Sequence, residues 1–537
     1  MIARRRGPVV VYIPVMRILG ALSISAAVSI SAAAQSPSRD WRPEDRTVIG
    51  DFSRVTSIAT SIDRVYVTSP TSLVIWQPHF QTWSGPFESP SRGTLNGVFA
   101  ALVDPLDQSL WLARSNGWVH YQPELRIWDE GAVPGSVTTI AFDESDPASG
   151  LHIRTSSGWL LVPRGSTIAI PGRGPAQAIR PTTVEEVLRQ APTLQINAAG
   201  YLLDSRMQPV RLTAAARAAD NQGWYVGTSG LGLFYLQDAA AIPERVPFGL
   251  PSPYVGAVTS WPGGLWVATN RTAQTDAAFT FVSSELREFR TVHGLPATGT
   301  PFTRVLELAG RGKALWAATD FGLARVDPND QQIDLFDQSR GLPDSRVFDV
   351  VGREGSVVVG TAHGLARMDD ALQVTRVAPR FAGAAYAVFP AGDSVWVGTP
   401  NGLLLALPGQ EDLVRPRSLA SASLQDPVFG LSTLGDTLVA LTRDHIIWRD
   451  PRSGAWSIGP NLSALLGRLR RFIPDGAGFW VAGERGVGFV RLSGALVRAL
   501  RDGDLPGPAN DLAVDRDHLW VATENGLVRF RLDAIRP

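Results

Sequence analysis

The sequence predicts an all-β protein, a β-propeller of radial four-stranded blades. Three observations carry the prediction. A tryptophan phrase recurs along the chain, its spacing settles near 42 residues, and each copy runs into a turn closed by glycine.

The phrase reads Leu265-Trp266-Val267-Ala268-Thr269, Leu315-Trp316-Ala317-Ala318-Thr319, Val395-Trp396-Val397-Gly398-Thr399 and Leu519-Trp520-Val521-Ala522-Thr523. Further copies lie at 110–113, 224–228, 357–361 and 479–482, with weaker ones at 65–68, 151–153 and 438–440. From Trp266 onward the aromatic slot falls at 266, 316, 358, 396, 438, 480 and 520, which is one propeller blade per step. Side chains alternate faces along a strand, so Trp266 and Ala268 share one face and Leu265, Val267 and Thr269 the other. A large ring two places from a small residue lets stacked sheets interdigitate, and the expectation is that the ring lies over the small residue of the next blade.

Each phrase leads into a turn such as Asp320-Phe321-Gly322 or Glu524-Asn525-Gly526, where glycine supplies the positive φ of a tight hairpin. A second phrase precedes the first: Gly249-Leu250-Pro251, Gly294-Leu295-Pro296, Gly341-Leu342-Pro343 and the degenerate Asp504-Leu505-Pro506. Each repeat therefore reads as loop, inner strand, Trp strand, glycine hairpin, third strand and outer strand.

The expected organisation is two rings with about 11–12 blades in all. Residues 1–34 form a signal peptide, 35–242 an irregular set of four or five N-terminal blades, and 243–537 a seven-bladed ring. Residues 160–222 are irregular, with one blade near Leu194-Gln195-Ile196 or an insertion there. The last repeat lacks an outer strand after Leu532. Residues 47–52 (Thr-Val-Ile-Gly-Asp-Phe) offer one, which would staple the chain ends and remove an open sheet edge. The alternative is that 245–248 closes a separate ring; one large ring also fits the repeats.

Composition narrows the function. The 537 residues hold 50 basic and 50 acidic side chains, with no long like-charged block, which argues against a nucleic-acid partner. There is no cysteine, so disulfides, thiolate metal sites and cysteine nucleophiles are excluded. An arginine-led apolar stretch ends in Ala32-Ala33-Ala34-Gln35, a secretory leader with cleavage near Ala34-Gln35; Met16 is an alternative start. No later segment reaches the length of a membrane span, so a periplasmic or secreted protein is expected.

Gly-Leu-Pro, a short strand, then Leu-Trp-Val-Gly/Ala-Thr-x-x-Gly-Leu resembles the two-component regulator propeller repeat, over roughly residues 45–537. That repeat is typical of the periplasmic sensor regions of bacterial hybrid histidine kinases. The resemblance implies a free-standing, sensor-like propeller without a kinase.

Zinc-protease, serine-hydrolase, phosphate-loop and calcium-loop patterns are all missing, and the seven histidines are scattered without ligand spacing. The reading is a non-enzymatic binding protein with no cofactor and no metal. Its partner is a small molecule, a glycan or an envelope protein. An envelope scaffold is the alternative, and a glycan lyase or hydrolase a more distant one. In a propeller the loops before the inner strands and the hairpins after the Trp strands share one face around the channel mouth. That face gives the ligand-binding candidates. Tyr254, Arg304, Asp344, Arg346, Asn510 and Asp511 come from the leading loops. Arg271, Asp320, His363, Asn401, Arg443, Glu484, Arg485 and Glu524 come from the hairpins, beside Asn270 and Asn525.

Overall fold

The computed structural model describes residues 41–50, 52–88, 94–190, 196, 199–203, 208–237, 242–272, 275–292, 300–329, 332–416, 425–492, 495–501 and 503–537. The leader 1–34, the phrase Gly294-Leu295-Pro296 and the strand expected at Leu194-Gln195 lie outside them. The described chain is almost entirely antiparallel strand, arranged as eleven sheets. It is a multi-bladed β-propeller protein.

Seven sheets come from the C-terminal part. Their inner strands are Val255–Trp261 (blade 1), Val305–Arg311 (blade 2), Val347–Arg353 (blade 3), Ala387–Ala391 (blade 4), Gly430–Leu434 (blade 5), Leu469–Asp475 (blade 6) and Ala509–Val514 (blade 7). Each packs against the next, and blade 7 packs against blade 1, so the seven sheets run round a closed circle. Blade 4 has three strands, with a lone bridge from Leu405 to Val414 on its outer side.

The fourth strand of blade 7 is Arg46–Ile49. It runs antiparallel to Gly526–Arg531, pairing Ile49 with Leu527 and Arg46 with Phe530. The chain start therefore completes the final sheet, and after Arg531 the backbone turns into the short helix Leu532–Ile535. Gly526 is required here: its φ is +127°, and a Cβ would sit 2.7 Å from the Ile49 carbonyl oxygen. The alternative closing strand is corrected, because Glu244–Val246 is instead the outer strand of its own sheet, beside Leu233–Gln237.

Four sheets precede the ring. Sheet A starts at Ser57–Thr60, sheet B at Val98–Val103 and sheet C at Val137–Asp143, while sheet D is built on Pro209–Arg217. They pack in the order D, A, B, C. Sheets C and D carry additional short pairings, Ala178–Ile179 on the inner strand of C and Tyr201–Leu203 on the start of the long strand of D. These explain why residues 160–222 break the repeat.

The tryptophan slot is core. Trp266, Trp316, Trp480 and Trp520 are fully buried. The packing differs in one respect from expectation. Trp316 and Ala318 of blade 2 cluster with Val350, Val357 and Val359 of blade 3. Trp520 and Ala522 of blade 7 likewise cluster with Leu265 and Val267 of blade 1. The ring thus meets the aliphatic face of the next blade, not that blade's small residue. The small residue leaves room for backbone: a Cβ on Gly360 or Gly398 would lie 2.5 or 2.7 Å from the carbonyl oxygen of Ala385 or Val428 in the next blade.

In blades 2, 3, 4 and 7 the threonine ending the phrase clamps the hairpin. Thr319, Thr361, Thr399 and Thr523 donate their hydroxyl protons to the carbonyls of Gly322, Gly364, Gly402 and Gly526 at 2.7–2.8 Å. This fixes the tips of those four loops.

Candidate ligand-binding site at the channel mouth

Most inner strands of the ring carry a β-bulge at their second residue. The register slips between Val255 and Ala257, Val305 and Glu307, Val347 and Asp349, Leu469 and Arg471, and Ala509 and Asp511. A bulge re-aims the extra side chain out of the sheet. Gly256, Leu306, Arg470 and Asn510, four such residues, line a cavity of about 700 Å³.

That cavity gathers the predicted residues Tyr254, Arg304, Arg443, Glu484, Asn510 and Glu524, together with Asn270. Sequence reasoning missed Arg468, Arg470, Arg471 and Phe429, which share the wall. Aligning the inner strands by their first residue exposes the signal. The series Val-Leu-Glu-Leu, Val-Phe-Asp-Val, Leu-Arg-Arg-Phe and Ala-Asn-Asp-Leu puts charges inside an apolar strand.

The mouth is basic. Arg468 donates to Glu484 at 3.0 Å, and Arg470 reaches Asn510 at 2.5 Å and Glu524 at 3.3 Å. The hydrogen bond from Arg468 holds the Glu484 carboxyl below its usual range, so it is a carboxylate at neutral pH. Arg304 has no acceptor for its guanidinium among the described residues, and Arg443 lies over the Phe429 ring at 5.1 Å. Two guanidinium groups thus line the cavity without a carboxylate partner among the described residues.

An aromatic arc continues round the wall. Tyr386 stacks on Phe429 with centroids 5.2 Å apart, and Phe348 meets Tyr386 edge-on at 5.1 Å. Arg346 lies over Phe348 at 5.3 Å.

Below the mouth Arg471 spans the channel. From blade 6 it donates to the Leu306 carbonyl of blade 2 at 2.7 Å and pairs with Glu307 at 3.0 Å. Asp349 and Asp511 add their charges to the same group. Burial alone would weaken the Arg471 guanidinium as a cation, but the three carboxylates outweigh it and hold the proton more firmly. Burial pushes Glu307 and Asp349 upward, and Asp511 up to about 6. Of this ion cluster, Arg471 lines the cavity.

The remaining candidates have other partners. Asp511 lies inside a strand, not a loop, and is 4% exposed. Its carboxylate accepts from the Val258 and Leu512 N–H groups at 2.8 Å, tying blade 7 to blade 1. Burial raises the Asp320 carboxyl, but the Thr303 hydroxyl and the backbone N–H groups of Thr303 and Arg304 donate to it, outweigh the burial and lower it. Asp344 contacts His363 at 2.8 Å. Arg271 pairs with Asp276 at 3.2 Å. Arg485 donates to the carbonyls of Ser463 and Ala464, and Asn401 accepts at its carbonyl from Arg415. Among the described residues no group of three or more His, Asp or Glu is set to hold a metal ion.

No family model and no curated protein matches the chain. Solved structures similar to it are propeller proteins of low identity. The extracellular domain assigned to a hybrid two-component system of B. thetaiotaomicron is 12% identical, with a TM-score of 0.41, covering 89% of this chain and 70% of that one. PorZ, a surface component of the type-IX secretion system of Porphyromonas gingivalis, is 11% identical, with a TM-score of 0.45, covering 89% and 68%. The computationally designed Ika8 protein is 12% identical, with a TM-score of 0.38, covering 58% and 93%.

Proposed function

We propose that this chain is an exported ligand-binding propeller, a sensor-like accessory that holds its ligand at the mouth of the seven-bladed ring. It belongs, on this reading, with the two-component regulator propeller repeats that its phrases resemble. The carrying observation is the cavity of about 700 Å³ where Arg304 and Arg443 face open space, with Arg471 in the same wall. Free guanidinium groups beside Tyr254 and Phe429 suit a ligand with acidic groups and a ring or apolar face. The apolar leader supports export, and no helix among the described residues is long and apolar enough to cross a membrane.

A second reading, an envelope interaction scaffold, draws on one observation. Among the described residues, nine of the thirteen exposed large apolar side chains, including Ile62, Phe80, Leu125 and Ile168, lie before residue 250. The two readings separate in one experiment. The purified chain is screened by thermal shift against acidic and neutral oligosaccharides and fractionated envelope extract. Ligand binding at the mouth raises Tm for the native chain. The Arg304→Glu/Arg443→Glu double variant then loses the shift, while Arg376→Glu on the outer strand of blade 3 keeps it. A shift retained by the double variant removes the mouth as the site.

A further inference from the structure

A second cavity, of about 650 Å³, lies at the other end of the inner strands, between the inner hairpins of blades 2 and 3. Its wall includes Arg311, Lys313, Arg325, Arg353, Asp370 and the edge of Trp316. Arg311 donates to the Arg353 carbonyl at 2.8 Å and to the Asp370 carboxylate. Arg325 pairs with Asp334 at 3.2 Å. Lys313 is the single lysine of the chain and has no acceptor among the described residues.

The repeat itself shows what is missing there. In blades 6 and 7 the residue five places before the tryptophan is an aspartate. Trp480 donates its indole N–H to Asp475 at 2.9 Å, and Trp520 to Asp515 at 2.8 Å. In blade 2 the equivalent position is Arg311, which has no acceptor to offer. The Trp316 Nε1 is accordingly buried without a hydrogen-bond partner. An orphan indole alone does not mark a site, because among the described residues Trp111, Trp118, Trp224, Trp266 and Trp456 have one too. In blade 1 the position holds Trp261, which meets the Trp266 ring edge-on at 6.4 Å. In blade 2 the unpaired donor belongs to a residue that lines a cleft with several cations.

We propose that the cleft between the hairpins of blades 2 and 3 is an anion site for a carboxylate, whose oxygen serves Trp316 as Asp475 serves Trp480. Arg311, Lys313 and Arg353 supply the positive charge that holds it, and Arg311 shifts toward the ligand from Asp370. The ligand class is a compact di- or tricarboxylate, since more than one cation lines the cleft.

Citrate is the probe, compared with sulfate and with sodium chloride at matched ionic strength. Lys313 is the only primary amine besides the chain's α-amine, so peptide mapping after limited acetylation reads this cleft directly. Saturating citrate is expected to slow Lys313 acetylation several-fold and to raise Tm by about 2 °C or more. Arg353→Gln and Lys313→Gln should each weaken the Tm shift. Arg311→Asp restores the aspartate pattern of blades 6 and 7, so it should raise the basal Tm and abolish the citrate response. Citrate acting no more strongly than chloride overturns the site. Sulfate acting more strongly than citrate overturns the carboxylate assignment. An undiminished response in Arg353→Gln and Lys313→Gln places the binding elsewhere and also overturns it. The mouth variant Arg304→Glu/Arg443→Glu should respond to citrate as the native chain does at Lys313, which keeps the two sites separable.

Discussion

The inner-strand joints of the seven-sheet ring and the joint between sheets A and D are built from different chemistry. In the ring, ionised or amide side chains cross between blades. Asn270 accepts from the Val305 N–H at 2.8 Å, Asp349 from Val388 at 2.7 Å and Asp511 from Val258 at 2.8 Å. Sheets A and D are stitched by neutral groups. Thr213 donates to the Val55 carbonyl at 2.6 Å, Thr60 to Arg217 at 2.7 Å, and the Val55 N–H to Thr228 at 3.0 Å. Charges buried in a closed circle demand a counter-ion, and Arg471 supplies it from across the channel. The neutral joint of sheets A and D has no such need.

The largest expected effect comes from opening the circle. Replacing residues 46–49 by a Gly/Ser linker of equal length removes the outer strand of blade 7 and the fully buried Ile49. The expected loss exceeds about 4 kcal/mol, from a core side chain and a ladder together. The same replacement in the half-exposed strand Val374–Val377 of blade 3 should cost far less. Equal losses in urea unfolding would show that the staple adds nothing special.

Arg471→Met comes next. It leaves three carboxylates without their cation, with an expected cost of about 3–5 kcal/mol. Adding Glu307→Gln should recover part of it, while Thr213→Val at the joint of sheets A and D should cost about 1 kcal/mol. A rescue absent from the double variant would separate Glu307 from the cluster's energetics.

Trp520→Phe and Trp266→Phe compare a bonded indole with an orphan one. The first strands the Asp515 carboxylate and should cost roughly 1–2 kcal/mol more than the second. Matched melting temperatures would deny the hydrogen bond its role.

The pH dependence is the smaller test. Asp511 titrates near 6 when folded, above the usual 3.8, because burial disfavours its charge. The folded state thus binds more protons between those values, so this group adds stability as pH falls from 6 to 4 and loses it as pH rises. Glu307 and Asp349 act in the same direction. Asp515 acts oppositely: despite its burial, bonds from His518 and Trp520 hold its carboxyl far below its usual range, and its contribution fades as pH falls below about 4. Asp511→Asn should flatten the gain between pH 6 and 4, by something on the order of 1 kcal/mol, in urea unfolding at pH 4.5 and 7.

Much of this was legible in the chain. Trp-x-Ala/Gly-Thr at a 42-residue step gave the strands and their buried face, and the apolar run at residues 47–49 gave the closing strand. Tyr254, Arg304, Arg443, Glu484 and Glu524 were legible as one face because loops and hairpins in a propeller emerge together. Less legible were Arg470 and Arg471, whose Leu-Arg-Arg-Phe reads as an ordinary strand with polar residues.

By itself the sequence determined the local units, since face alternation and glycine turns act over a few residues. Only the tertiary structure decided which units meet across the axis. Arg471 finds Glu307 on a strand more than 160 residues earlier because ring closure brings blades 6 and 2 together. The bulges then aim their side chains inward. Neither event has a signature within a single repeat, because both depend on the backbone geometry of all seven sheets at once.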